Sequence, residues 1–337
     1  MIRIALDAMG GDHAPQTEIE GAARAVAELP ANFILQLVGA TARIEAELAR
    51  HPELDRKRIE IVEAPEVIGM AERPLEAVRR KRKSSLVVGL GLQARQQSEG
   101  FISAGNTGAM LAASTVLLGL YEGVERATVG ALIPTVHGAV LLLDAGANVD
   151  CSPRELVGFA HLGSVYMRDL QNRPRPKVGL LNVGEEEEKG TAVVKEAHRL
   201  LSQDARINYV GNVEGRDLLT GHPRQGPLDV VVCDGFVGNV VLKFGESLVA
   251  LVRHVAQDNA PDLWGREGIQ SAFRVLDYSQ YGGAPLLGVR GVSIICHGSS
   301  NPTAIRNAIR VAVQSVEIGL ARHIGAEFAE SEAAGAS

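Results

Sequence analysis

The feature that most constrains this chain is a unit repeated along its length: a short apolar run, a glycine-rich polar loop, then a segment of helical character. The runs occupy residues 2–6, 33–38, 101–102, 139–143, 178–181, 207–210, 230–233 and 292–296. The first leads into Asp7-Ala8-Met9-Gly10-Gly11-Asp12-His13 and the second into Gly39-Ala40-Thr41. The third leads into Ser103-Ala104-Gly105-Asn106-Thr107-Gly108, the fourth into Asp144-Ala145-Gly146-Ala147-Asn148. Asn182-Val183-Gly184, Gly211-Asn212, Asp234-Gly235-Phe236-Val237-Gly238-Asn239 and His297-Gly298-Ser299-Ser300-Asn301 follow the rest. Continuous apolar runs imply strands covered on both faces. Strands alternating with helical segments imply βαβ units and a largely parallel sheet, hence an α/β fold. Ligands of such sheets bind outside the carboxyl ends of the strands, where these loops sit by construction.

The reading is of one domain over residues 1–325, with a helical excursion at about 245–283 and a frayed tail at 326–337. The excursion shows helical spacing at Leu248, Leu251, Val252, Val255 and Ala256. It continues with Leu263, Trp264, Ile269, Phe273 and Leu276 and closes on Tyr281-Gly282-Gly283.

Composition excludes several classes. A net charge of −6 and 4% aromatic residues give no surface for stacking bases, so no nucleic-acid partner is expected. Cys151, Cys233 and Cys296 are far apart and form no CxxC pair, which predicts neither a metal site nor a disulfide framework and suits a reducing cytoplasm. The N-terminus reaches Asp7 too soon for a signal peptide. The most apolar stretch, residues 109–120, is shorter than the roughly 20 residues a spanning helix needs. It reads as a buried helix, and an integral membrane protein is not expected.

Glycine loops bring backbone N–H groups close to an anion, and a following helix N-terminus adds positive partial charge; phosphate is the first candidate. No loop fits the GxxxxGK[ST] pattern or a clean GxGxxG after a strand, and no GxSxG elbow is present. Asn239 either donates an amide hydrogen bond to an oxyanion or caps a helix or loop. Lys243, one turn later, either faces the same ligand or solvates the helix. In Gly184-Glu185-Glu186-Glu187-Glu188-Lys189-Gly190 the acids suit a helix start, and Lys189 is the unusual member: a cation able to hold phosphate or a developing negative charge. Arg79, Arg80, Lys81, Arg82 and Lys83 form a basic run, read either as a solvated helix end or as a docking patch for an acidic partner. His13 and His297 stand out among the histidines because loops at strand ends carry them. Cys233, beside Asp234, reads as a buried strand residue with a raised thiol pKa.

Taken in order, these loops closely resemble those of the bacterial phosphate acyltransferase family. The matching stretches begin with Leu6 to Pro15, the Ser103 to Ala109 loop and Asp144-Ala145-Gly146-Ala147-Asn148. They continue with Leu180-Leu181-Asn182-Val183-Gly184, Asp234 to Lys243, Tyr281 to Gly288 and His297-Gly298-Ser299-Ser300, so nearly the whole chain is covered. One position departs: members often carry threonine after the glycine of the Leu-Leu-Asn motif, where this chain has Glu185, which argues against a phosphate contact there.

The resemblance implies a three-layer αβα fold like those of the phosphotransacetylases and the isocitrate-dehydrogenase group. It implies a homodimer with no cofactor and no metal. The implied reaction is transfer of a fatty acyl group from acyl carrier protein to inorganic phosphate for glycerophospholipid synthesis. A membrane glycerol-3-phosphate acyltransferase would use the product. The protein would be cytoplasmic and peripherally attached to the inner face of the cell membrane, with Leu263, Trp264 and Phe273 as the candidate contact or, equally, as dimer packing. Lys189 and Asn239 take the catalytic roles. Phosphate and thioester contacts are assigned to Gly10, Gly11, His13, Ser103, Asn106, Thr107, Gly108, Asp144, Asn148, Asn182, Gly184, Asp234, Gly235, Lys243, His297 and Ser299. Carrier docking is assigned to the run from Arg79 through Arg80, Lys81 and Arg82 to Lys83. A phosphotransacetylase using acyl-coenzyme A and a non-enzymatic carrier-binding scaffold stay open as alternatives.

Overall fold

The computed structural model describes residues 1–221, 224–259, 268 and 280–335. Where the sequence suggests one domain over 1–325, the structure has two compact units: Met1–Ala127 with Tyr281–Ser337, and Thr128–Gln280. Alternating strands and helices look the same whether they feed one sheet or two, so the period of the pattern cannot mark the change of sheet.

The first unit opens with β1 (Ile2–Asp7), α1 (Gln16–Glu28), β2 (Phe33–Gly39), α2 (Thr41–Leu48) and β3 (Ile59–Glu63). It continues with α3 (Pro74–Arg80), α4 (Ser85–Ala94), β4 (Gly100–Ser103) and α5 (Thr107–Leu117). The second unit holds β5 (Thr128–Val129), β6 (Ala131–Thr135), β7 (Gly138–Leu143), α6 (Pro153–Leu170), β8 (Lys177–Leu181) and α7 (Ala192–Gln203). It ends with β9 (Asn208–Val213), α8 (Asp217–Thr220), β10 (Val230–Val232) and α9 (Gly235–Asn259). The last elements, β11 (Ala284–Leu287), β12 (Val292–Ile295), α10 (Pro302–Glu317) and α11 (Leu320–Gly335), belong again to the first unit.

In the first unit the strands run in the order β3-β2-β1-β4-β12-β11, all parallel to their neighbours except β11. Leu6 is in register with Leu37 on one side and Ile102 on the other. The Ile102 face packs with Ile4, Leu6, Leu35 and Leu37 against Ile19 and Ala22 of α1 and Ile305 and Ile309 of α10. Phe101 points the other way, onto Gly89 of α4. The sheet is therefore covered on both faces, as its unbroken apolar runs require. Each fully buried Ile or Leu contributes about 1.5–3 kcal/mol.

The second unit has a five-stranded sheet in the order β6-β7-β10-β8-β9, with β6 antiparallel and the others parallel. Val230 meets Gly163 of α6 on one face. Val231 and Leu142 pack on the other with Leu218 of α8 and Val237 and Val241 of α9. Ser152 and Glu155 form a capping box at the start of α6, with Pro153 in its first turn.

Four local expectations change. Gly211 and Asn212 lie inside β9 rather than in a loop, next to a register irregularity opposite Val178 and Gly179. The expected tail is helical as far as Gly335 and buries Phe328. The expected excursion starts within α9, a continuous helix that includes Leu248, Leu251, Val252, Val255 and Ala256. Leu263, Trp264, Ile269, Phe273 and Leu276 lie outside the described residues. The 109–120 stretch forms most of α5, which buries Ala109, Met110 and Ala113 but exposes Val116. Among the described residues, the helix long and apolar enough to cross a membrane is instead α9, which is largely unburied.

Candidate active site

In the first unit the loops after β1, β4 and β12 lie side by side because those strands are neighbours. Asp7 ends β1 fully buried. Its Oδ2 accepts from Ser103 Oγ at 2.8 Å, and its Oδ1 accepts from the Met9 N–H at 3.0 Å. Ser103 Oγ in turn accepts from the Gly105 N–H at 3.0 Å. Burial pushes the Asp7 carboxyl above its ordinary range, against the pull of these hydrogen bonds. A Cβ on Gly10 would stand 2.8 Å from both Asp7 Oδ2 and the Gly105 nitrogen, so a bare backbone is required there. The Asp12 N–H donates to the Gly298 carbonyl at 2.8 Å and ties the β1 loop to the β12 loop. His13, His297 and Ser299 are exposed. His297 Nδ1 accepts from the Ser299 N–H at 3.2 Å and lies 2.7 Å from Ser299 Oγ, which leaves Nε2–H to donate outward.

Asn106 has a different task from the one sequence assigns it. Its Oδ1 caps α5 by accepting from the Ala109 N–H at 2.9 Å. Its Nδ2 points at the carbonyls of Gly69, Met70 and Glu72, at 3.3, 3.0 and 3.1 Å. Both ends of the amide are thus committed to the protein, and Asn106 anchors the 69–72 loop rather than a ligand. Thr107 is exposed at the start of α5, and Gly108 fits against Pro74.

In the second unit the loops after β7, β10 and β8 are likewise adjacent. Asp144 is fully buried. Its Oδ2 accepts from the Asn148 N–H at 2.6 Å and from Asn148 Nδ2 at 3.0 Å, and its Oδ1 from Val129 and Ala147 N–H groups at 3.1 and 3.2 Å. Burial raises its pKa. Asp144 and Asn148 therefore build the loop. Asp234 caps α9 by accepting from the Val237 N–H at 2.8 Å. The Gly235 N–H donates to the Asn148 carbonyl at 2.7 Å, and a Cβ on Gly235 would crowd that same oxygen at 2.7 Å. Asn239 follows on the exposed side of α9. Its carboxamide lies over Gly146, whose Cβ would stand 3.4 Å from Asn239 Oδ1.

After β8, Asn182 Nδ2 donates to the Lys189 carbonyl at 3.1 Å and its Oδ1 accepts from the Val183 N–H at 2.8 Å. The 182–190 loop folds around Gly184, which is buried beneath Lys189 Cγ. Lys189 itself is exposed, and among the described residues its ammonium pairs with no carboxylate despite the four preceding glutamates. Lys243 differs: its Nζ bonds Glu246 Oε2 at 2.9 Å on the exposed face of α9, so it solvates the helix.

Cys233 is buried and its thiol is pushed well up by burial, with Asp234 and Asp144 adding to the effect. Cys151 is pushed up to about 12, chiefly by burial. Neither is a thiolate nucleophile near neutral pH. In the basic run, Arg80 and Lys81 both pair with Glu72, whose carboxyl is drawn down to about 2 mainly by the Lys81 hydrogen bond. The Lys83 N–H donates to Glu66 Oε2 at 2.9 Å, while the charged ends of Arg79, Arg82 and Lys83 pair with no carboxylate among the described residues.

Sequence reasoning leaves three groups unassigned. Asp7 is the hub of the β1 loop and was legible as part of its motif. Asn212 is buried in β9 and donates through Nδ2 to the Glu186 carbonyl at 3.2 Å, supporting the Lys189 loop. Glu18, buried in the first turn of α1, looks in sequence like an ordinary acid at a helix start.

Comparison with known proteins agrees with this architecture. The model of the family described as fatty acid synthesis protein matches residues 2–323. A protein from Desulforamulus reducens named phosphate acyltransferase is 48% identical over 95% of each chain. One of the same name from Nostoc punctiforme is 44% identical over 97% of this chain and 96% of its own. Among solved structures, a phosphotransacetylase from Streptococcus pyogenes shares the fold with a TM-score of 0.63 at 16% identity, over 94% of both chains. Isocitrate dehydrogenase from Methylococcus capsulatus does so at 0.50 and 13%, over 96% of this chain and 88% of its own. The match to the family model and identity above 40% along nearly the full length leave one assignment: the chain belongs to the phosphate acyltransferase family and is an acyltransferase.

Proposed function

We propose that this protein transfers a fatty acyl group from the thioester of acyl carrier protein to inorganic phosphate, making acyl phosphate for glycerophospholipid synthesis. A membrane glycerol-3-phosphate acyltransferase is the class of enzyme that would consume the product. The observation that carries the reading is an exposed lysine without a carboxylate partner and an exposed asparagine amide after neighbouring parallel strands, in a chain of this family. Phosphate is a competent nucleophile near neutral pH. One of its oxygens attacks the thioester carbonyl, and the tetrahedral oxyanion is met by the Lys189 ammonium and the Asn239 amide. Collapse expels the carrier thiolate, a good leaving group, so positioning and charge stabilisation are the main tasks. His13, His297, Ser299 and the N–H groups at Thr107 and Gly108 are available to an anion in the first unit.

The test is phosphate-dependent release of carrier thiol from acyl carrier protein, with acyl-coenzyme A in parallel. The expected result is turnover with the carrier donor and much weaker turnover with coenzyme A. Preference for coenzyme A would assign a phosphotransacetylase, and carrier binding without release would assign a scaffold. Arg79, Arg82 and Lys83 are proposed to dock the acidic carrier. Reversing all three to glutamate should raise KM for acyl carrier protein about 10-fold, with kcat little changed, because rim charges act mainly on encounter.

We also propose that the enzyme is cytoplasmic, works as a homodimer and lies on the inner membrane surface. The support is a stripe of exposed apolar residues on α9, namely Val240, Phe244, Leu248, Leu251 and Val255, at helical spacing. Changing Phe244 and Leu251 together to glutamate should lower binding to anionic phospholipid vesicles about 10-fold. Unchanged vesicle binding with loss of the dimer in light scattering would assign the stripe to the second copy instead.

A further inference from the structure

Glu18 is about 1% exposed, and its Oε2 has no hydrogen-bond partner. The carboxyl lies directly under the β1 loop: a Cβ on Gly11 would run into Glu18 Oε1 and stand 3.4 Å from the Gly298 carbonyl. It thus sits below the point where the Asp12 N–H bonds Gly298 and joins the His13 loop to the His297 loop. The charged groups facing it are Asp7 and Asp12, both of like sign. The Cys296 thiol is also near and is pushed up to about 12, mainly by burial and in part by Glu18. From α10, what meets α1 nearby is uncharged: Ile305 and the Pro302 carbonyl against Gly21, and Thr303, which Arg24 holds at 3.1 Å.

Resting on the phosphate reading of these loops, we propose that Glu18 is a positioning residue for them: protonated, it seats Gly11 so that the joined loops hold an anion; ionised, it sets another negative charge beside Asp7 and Asp12 and weakens that hold. A carboxyl buried among carboxylates with one oxygen unpartnered resists ionisation, and burial, with lesser help from Asp7 and Asp12, raises Glu18 to about 7 against the N–H groups of Glu18 itself and of Gly11. The switch therefore falls within the range where the enzyme would work.

Glu18→Gln keeps the shape and removes the titration. The probe is sulfate as a competitor of phosphate, since its charge is constant above pH 6. Between pH 6 and 8.5 the sulfate inhibition constant should rise about 5-fold more in the wild type than in Glu18→Gln, a rise common to both belonging to the other groups of the loops. At pH 6 the two proteins should turn over within about 2-fold of each other. A structural carboxyl of no consequence to the loops would give parallel sulfate profiles, and these overturn the proposal. Loss of turnover in Glu18→Gln at every pH also overturns it.

Melting supplies a readout that needs no substrate. The folded state holds the Glu18 proton to about 7, against an ordinary 4.5, so the wild type should lose stability relative to Glu18→Gln as pH rises between those values, with no further loss above. Equal melting shifts over that range overturn the proposal. A wild type without phosphate-dependent turnover at any pH overturns the phosphate reading and this proposal with it, while the melting difference still identifies Glu18 as the titrating group.

Discussion

Replacing Asn239 or Lys189 with alanine should lower phosphate-dependent acyl transfer on the order of 100- to 1000-fold, the usual cost of one donor to a developing oxyanion. Both side chains are exposed, and neither supports the core, so each variant should melt within about 0.5 kcal/mol of the wild type. That separation of activity from stability is what marks a transition-state contact. Lys243→Ala is the control. Its ammonium is paired with Glu246 on the exposed face of α9, and its loss should change turnover less than about 3-fold. The measurement is kcat and KM for phosphate and for acyl carrier protein in the three purified variants. Near-normal turnover in both Asn239→Ala and Lys189→Ala would remove them from the chemistry.

The contrast between Lys189 and Lys243 also shows where sequence stops. Spacing leaves Lys243 open between a ligand contact and a solvated helix face, while Lys189 stands out only as the cation that follows four acids. What separates them is Glu246, whose carboxylate is taken by Lys243, while Glu185 to Glu188 leave Lys189 unpaired because the chain folds around Gly184. The strands of the sheets were legible because burial on both faces demands unbroken apolar runs. The strands β3, β5, β6 and β11 were not, because they lack a long glycine loop at the carboxyl end. Asn106 shows the same limit at one side chain. As a polar residue in a glycine loop it reads as a ligand contact, yet three carbonyls of the 69–72 loop, some 35 residues earlier in the chain, take up its amide. Glu18 is the converse. Its position predicts a solvated helix start, and its burial follows from the β1 and β12 loops closing over it, a long-range fact that no local pattern encodes.

The second large effect tests how the α9 start is held against the Asp144 loop. Gly238→Ala should destabilise the protein by about 2–3 kcal/mol and reduce turnover together with stability. A Cβ at Gly238 would run onto the Asp144 carbonyl oxygen, 2.9 Å from the carbonyl carbon and 3.1 Å from Cys233 Sγ. These obstacles are backbone and a buried thiol, so relief requires α9 to move away from the loop that Asp144 and Asn148 build. Alanine gains about 1 kcal/mol over glycine in a helix interior, which offsets part of the clash but not all of it. Gly245, in the same helix, has nothing within 4 Å of its would-be Cβ. Gly245→Ala therefore carries the propensity gain alone and should stabilise by up to about 1 kcal/mol. Denaturant melts of the two variants distinguish packing from propensity. If both stabilise alike, α9 does not press on the Asp144 carbonyl. If Gly238→Ala alone falls, and its turnover falls further than its folded fraction accounts for, then the same contact that closes the loop also sets the position of Asn239.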